Sequence, residues 1–218
     1  MSRHLVLAAV LGAAGTAALV FTIVHAAFPS RPPVRNDLAR IVDGTPAYAD
    51  GWSHLGATQR PLGTLDGLYA ATAVVALSEE GRLRLTPRIR RLIAHRDLRA
   101  LATAAGNAAE ELPAAVYFER IVRPLELAQT SVHDGGAISA SAADVARMAS
   151  ALMQGQIVGT ASVFAMTHGL VWRHPESTPC GQAYAWHGDR ASLLVSPDGK
   201  RVAVVLGNAP LERLYCAA

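Results

Sequence analysis

The chain has 218 residues, 51% of them hydrophobic and 17% charged, and a formal net charge of +3. So much apolar content with so little charge excludes a disordered, acidic or collagen-like chain, and the length suits one domain with a targeting segment. The mildly basic balance gives no argument for nucleic acid, but it is lopsided: of 20 basic residues only Lys200 is a lysine, and the other 19 are arginine.

Leu5 to Val24 is a run of 20 residues without a charge. It is long enough to cross a bilayer as a helix and longer than the usual core of a signal peptide. Arg3 and His4 precede it, and Val24-His25-Ala26 fits a small-residue cleavage site. Residues 1–27 are therefore read as a signal peptide or an uncleaved signal anchor, both alternatives standing. Arg31, Arg35 and Arg40 follow the run while only Arg3 precedes it, so the flanks leave the orientation open. The expected location is extracytoplasmic, membrane-anchored or secreted. Phe28 to Arg35 is proline-rich, and the pattern stays weak up to Gly63, so residues 28–62 read as a linker and a poorly defined start. Within them Gly51-Trp-Ser-His-Leu-Gly56 comes near a nucleophile elbow, but one residue too long for G-x-S-x-G.

The folded domain is expected over residues 63–218. Leu68 to Leu77 is alanine-rich and nearly all apolar, a buried helix with Thr64 or Asp66 near its N-cap and Gly81 at its stop. Thr86-Pro87 opens a second helix with an N-cap and a proline in the first position. Seven arginines fall between Arg82 and Arg99, a solvated face or a surface for lipid or another polyanion. Ser141 with Asp144 three residues on is a capping-box pattern, followed by an apolar stripe of Val145, Met148, Ala149 and Leu152. Near the end, Ser192 to Val195 and Val202 to Leu206 flank a Pro-Asp-Gly turn, a β-hairpin. Helices first and an antiparallel pair last predict an α+β fold rather than βαβ alternation. Cys180 and Cys216 permit a disulfide in an oxidising compartment without requiring one, and no metal-ligand spacing involves His174 or His187.

Gly63 to Leu83, Tyr117 to Gly155 and Trp186 to Asn208, in this order, resemble the serine β-lactamase and penicillin-binding D-alanyl-D-alanine peptidase superfamily, nearest its class C and esterase-like branch. Gly63 to Leu83 (GTLDGLYAATAVVALSEEGRL) is similar to the helix that carries the nucleophile, with its E-E-G-[KR]-L ending. Tyr117 to Gly155 contains Arg123-Pro-Leu-Glu-Leu127, Thr130, Gly135-Gly136-Ala137 and the Ser141 helix, similar to a P-L-G-M…T…G-G…S-A-x-D-[LMV]-A-R pattern. Trp186 to Asn208 is similar to the strand pair bordering that family's active site. The resemblance implies a β-lactamase/transpeptidase-like fold, an antiparallel sheet packed with helices and preceded by the N-terminal transmembrane or signal helix. It implies a serine hydrolase that needs no cofactor, in which a Ser-x-x-Lys serine attacks a carbonyl with the lysine's help. A Tyr-x-Asn tyrosine and a Lys-Thr-Gly or His-x-Gly strand complete that family's site.

Against that template the serine position falls on Thr64 and the lysine position on Gly67. Lys200 has Pro197 three residues before it, so no Ser-x-x-Lys exists in the chain. Ala105-Gly106-Asn107 keeps only the asparagine of Tyr-x-Asn in one alignment, and in another the whole motif is deleted. Trp186-His187-Gly188-Asp189 is similar to His-x-Gly with Asp189 intruding, a carboxylate that would repel an anionic substrate. The family-position candidates are thus Thr64, Asn107, His187 and Gly188, each with an ordinary structural role as its alternative. His133, His168 and His174 show no ligand or triad spacing. Removing residues through Ala26 leaves 192, short for the family, with losses expected among the early strands and between Asn107 and Tyr117.

The expectation is an exported β-lactamase-like domain, catalytically impaired, a pseudoenzyme that keeps at most the binding of a peptidoglycan peptide, a β-lactam or another small amide or ester. An active esterase or peptidase with a non-standard nucleophile and a membrane-anchored interaction module are the alternatives. The expected partners are such a ligand and the membrane, through residues 5–24; nucleic acid is not among them.

Overall fold

The computed structural model describes residues 37–46, 58–172 and 174–217. The apolar run at 5–24, the proline-rich stretch at 28–35 and the Gly51–Gly56 motif lie outside them. Among the described residues no helix is long and apolar enough to cross a membrane. In chain order the elements are β1 (Asp37–Val42), β2 (Thr45–Pro46), β3 (Arg60–Pro61), α1 (Asp66–Glu79), α2 (Pro87–Ala94), α3 (Leu98–Ala109) and α4 (Pro113–Tyr117). They continue with β4 (Thr130–Val132), β5 (Ile138–Ala140), α5 (Ala142–Met153), α6 (Thr160–Ala165) and β6 (Glu176–Thr178). The last four are β7 (Gly181–His187), β8 (Ala191–Val195), β9 (Val202–Leu206) and α7 (Leu211–Cys216).

The expected hairpin is the centre of a six-stranded antiparallel sheet, order β2-β1-β9-β8-β7-β6. Leu193 faces Val204 and Val195 faces Val202 across it. Because side chains alternate along a strand, the sheet buries two faces. Ala39, Ile41, Tyr184, Trp186, Leu193, Val195, Val202 and Val204 share the main core with α1 and α5. Leu38, Ala183, Leu194, Ala203 and Val205 meet Leu211, Leu214 and Tyr215 of α7 on the other face. A second sheet, β3-β5-β4, stands beside the entrance to α1.

The sheet begins upstream of Gly63, in the stretch expected to be linker and weak start. β1 reads Asp-Leu-Ala-Arg-Ile-Val, and its two charges hide the alternation. Pairing with β9 imposes the register, and the Asp37 carboxylate accepts a hydrogen bond from Ala142 N–H at the start of α5 (3.0 Å). The early strands expected to be lost are therefore present in β1 and β2.

α1 is buried on every side from Asp66 to Leu77, as its alanine-rich composition requires of a helix with no polar face. Thr86 caps α2 by accepting from Ile89 N–H at 3.3 Å, and Ser141 caps α5 by accepting from Asp144 N–H at 3.2 Å. The reciprocal half of the α5 capping box is absent. Asp144 instead accepts from Gln129 N–H (2.7 Å) and the Thr130 hydroxyl (2.9 Å), pinning the approach to β4. Cys180 and Cys216 are joined in a disulfide that ties α7 to the turn before β7.

Candidate active-site region

The start of α1 and the β7–β8 turn meet. A 3₁₀ turn, Gly63–Leu65, leads into α1, and neither element has a side-chain cap of its own. Thr64 is therefore not the cap anticipated for it, and Asp66 lies inside the first turn. The role passes to Asp189, whose carboxylate accepts a long hydrogen bond (3.4 Å) from Thr64 N–H. A carboxylate at the amino end of a helix is also favoured by the helix dipole. Gly63 makes the approach feasible: it adopts φ +63°, and a Cβ there would lie 2.6 Å from Asp189 Oδ1.

Gly188 closes the same contact from the strand side, where a Cβ would overlap the Thr64 hydroxyl and stand 2.6 Å from the Ala191 carbonyl oxygen. Thr64 itself is exposed. Among the described residues, the only carboxylate that bonds to Thr64 takes its backbone N–H rather than its hydroxyl.

Gly67, one turn on, carries no side chain, and its space is taken by others. An ideal Cβ there would lie 3.5 Å from both Trp186 Cζ2 and Arg96 Cβ. The Arg96 guanidinium lies over the Trp186 ring, 3.8 Å from its centroid, a cation–π contact, and burial pushes its pKa down from the ordinary arginine value. A cation thus stands near the position where the family has its lysine, but it is a guanidinium that stays protonated and cannot accept a proton from a hydroxyl.

Behind this contact lies a buried polar group that sequence reasoning treated only as a cap. Asp66 is 5% exposed, lies near the Ile138 N–H, and leaves Oδ1 without a partner in the protein. Burial raises its pKa to about 7, with the nearby Asp189 charge adding to the rise. The hydroxyls of Tyr69 and Tyr117 and the Trp186 indole N–H are also buried without a partner. Burial, with the Asp66 charge adding to it, holds both tyrosines well above their usual pKa. The signal in the sequence was Asp66 and Tyr69 three residues apart at the head of an otherwise apolar run. Asp66 lies against Ile138 of β5, while the Thr64 hydroxyl lies beside Gly188.

The other candidates do not join Thr64. His187 follows Trp186, and the pleat turns it to the face of the sheet opposite α1, where its Nε2 lies 3.6 Å from the Glu176 carboxylate on β6. Asn107 sits in the last turn of α3, exposed, opposite the buried face of Leu101, Ala102, Ala105 and Ala109. Its carbonyl accepts from Glu110 N–H as the helix closes. Lys200 is in the β8–β9 turn, its N–H held by Asp198. A cleft of about 380 Å³ lies between β1 and α5, bordered by Ala39, Ile41, Pro46, Ala146, Arg147 and Gln154; neither Thr64 nor Asp189 lines it.

No protein-family model matches the chain, and no curated protein does. Solved structures do. A D-stereospecific amidohydrolase from Streptomyces sp. aligns over 85% of this chain and 95% of its own, with TM-score 0.65 and 15% identity. A β-lactamase from Mycobacterium bovis aligns over 84% and 92%, with TM-score 0.66 and 16% identity. D-alanine carboxypeptidase AmpC from Burkholderia cenocepacia aligns over 84% and 91%, with TM-score 0.59 and 14% identity. The chain has the fold of the serine β-lactamase and penicillin-binding protein superfamily, as its motifs implied.

Proposed function

We propose that this domain, built on the serine β-lactamase and penicillin-binding fold, no longer forms an acyl-enzyme and acts as an extracytoplasmic binding domain. The observation that carries this reading is the pairing of Thr64 with Gly67. A threonine or serine hydroxyl becomes a useful nucleophile only with a base within hydrogen-bond reach. Here the position one turn away has no side chain, and Trp186 and Arg96 flank it. The Thr64 N–H, a donor of the kind that would stabilise a tetrahedral oxyanion, is engaged by Asp189, so a carbonyl oxygen must compete with an internal carboxylate. The groups that would serve catalysis are instead used to start a helix.

What the region offers a ligand is the exposed Thr64 hydroxyl and the side chains of Asp189 and Arg190, which are 62% and 64% exposed. These can hold a peptidoglycan peptide or another small amide or ester by hydrogen bonds, without a covalent step. Export is supported by the Cys180–Cys216 disulfide, which persists in oxidising compartments, together with the apolar run at residues 5–24. Two reagents test the reading. A fluorophosphonate probe and a labelled penicillin, each followed by intact-mass measurement, are expected to leave the folded chain unmodified. An adduct on Thr64 that disappears in Thr64→Ala would establish an active hydrolase and overturn the proposal.

A further inference from the structure

The arginines are not spread evenly. From Gly81 to Ala109 the chain carries seven arginines and one aspartate, a net of +6 in a protein of net +3, so the remainder is acidic. Three of the seven have internal contacts. Arg82 bonds the Ala109 carbonyl and lies 3.8 Å from Glu111, Arg90 Nε donates to the Leu85 carbonyl (3.1 Å), and Arg96 stacks on Trp186. Arg84, Arg88, Arg90, Arg91 and Arg99 are exposed, and among the described residues none of these has a carboxylate within ion-pair distance. The one acid of the stretch, Asp97, is spent on accepting from Ala100 N–H at the start of α3.

The local fold displays these charges together. α2 buries Ile93 and half-buries Ile89 and Leu92 against the core, which turns Arg88, Arg90 and Arg91 outward. α2 also packs on the Met166–Leu170 turn, the direct continuation of α6. α6 exposes the ring of Phe164, 63% accessible, which stacks on His168. A dense arginine surface without counter-charges, beside a helix that presents an aromatic ring, has the chemistry of an interfacial membrane contact.

We infer that the α2 face docks on the anionic headgroups of a lipid bilayer, independently of any ligand at Thr64. The alternative partner of the same charge, a soluble polyanion, gives no use to the exposed aromatic ring. A bilayer is also within reach. An anchor at residues 5–24 leaves twelve residues before β1, a tether of about 40 Å at full extension. Tethering makes weak docking effective, because it converts it into an intramolecular event.

The test uses the full chain reconstituted with phosphatidylcholine vesicles, with or without about 30 mol% phosphatidylglycerol. Hydrogen exchange is followed over residues 87–99. Slower exchange is expected only in the anionic vesicles, and raising salt from about 0.1 M to about 0.5 M should remove it. Each arginine at such a surface strengthens docking about fivefold, so Arg88→Gln/Arg91→Gln/Arg99→Gln should lose about a hundredfold, while the corresponding lysine variant keeps protection. Unchanged exchange in buried α1 reports that the variants fold. Equal exchange in the two vesicle types, or protection that survives in the glutamine variant, overturns the inference. Protection by soluble polyphosphate but not by anionic vesicles overturns it as well, and assigns the surface to a soluble polyanion.

Discussion

Replacing Asp66 by asparagine should stabilise the protein in a pH-dependent way. The folded-state pKa of Asp66 is raised to about 7 from an ordinary value of 3.8. Below pH 3.8 the carboxyl is protonated whether the chain is folded or not, and its burial costs little. As pH rises toward 7 the unfolded chain has released this proton while the folded chain still holds it, so stability falls across that window and levels off above it. A shift of about three units at 1.36 kcal/mol each sets a ceiling of about 4 kcal/mol. Relaxation around the charge brings the expected loss to roughly 2–4 kcal/mol. Asparagine keeps the shape of the side chain and never ionises. Tyr69 and Tyr117, which face Asp66, stay neutral throughout, and Asp189 is common to both proteins. Urea unfolding at pH 4, 6 and 8.5 should therefore show near-equal stability at the acid end and Asp66→Asn ahead by roughly 2–4 kcal/mol at the alkaline end. A parent–variant difference that is flat with pH would refute the reasoning, as would a variant less stable at pH 8.5 than at pH 4 relative to the parent.

Gly67→Ala should stabilise by about 0.5–1 kcal/mol, since the new methyl would meet Trp186 and Arg96 at ordinary contact distance and the helix gains from losing a glycine; thermal unfolding checks it. Gly188→Ala should destabilise by about 1–3 kcal/mol, and adding Thr64→Ala should not restore the loss, because the Ala191 carbonyl oxygen remains 2.6 Å from the new Cβ. Urea midpoints of the single and double variants decide this. Replacing Cys180 and Cys216 by serine opens a loop of sequence separation 36 and should cost about 3–4 kcal/mol, read as a lower melting temperature of the oxidised parent's counterpart under non-reducing conditions.

The legible parts of the chain were those whose signal is local. The alanine-rich α1, the Thr86 and Ser141 caps and the hairpin around Pro197-Asp198-Gly199 follow from spacing and turn chemistry, and all are present. β1 was hidden because Asp37 and Arg40 interrupt its apolar pattern; pairing with β2 and β9 makes it a strand, and the Asp37 carboxylate is taken up by the Ala142 N–H. At the candidate site two of the positions picked out by motif offset, Thr64 and Gly188, touch, and Gly67 lies one turn on against Trp186 and Arg96. His187 and Asn107 lie apart from that contact, because one residue of pleat separates the two faces of a sheet and the outward face of a helix is a matter of packing.

The count of a single lysine, in a hairpin turn, settled by itself that no Ser-x-x-Lys exists here, and the order of three motifs pointed to the fold. Both are properties of sequence position alone. What stands in place of the missing parts was decided by tertiary structure. Asp189 reaches across 125 residues to the Thr64 N–H, Arg96 settles over Trp186 beside Gly67, and Asp66 is pushed up to about 7 by surroundings drawn from several elements. Hydrogen bonds and desolvation depend on which groups meet in space, and the fold makes those meetings across long stretches of chain.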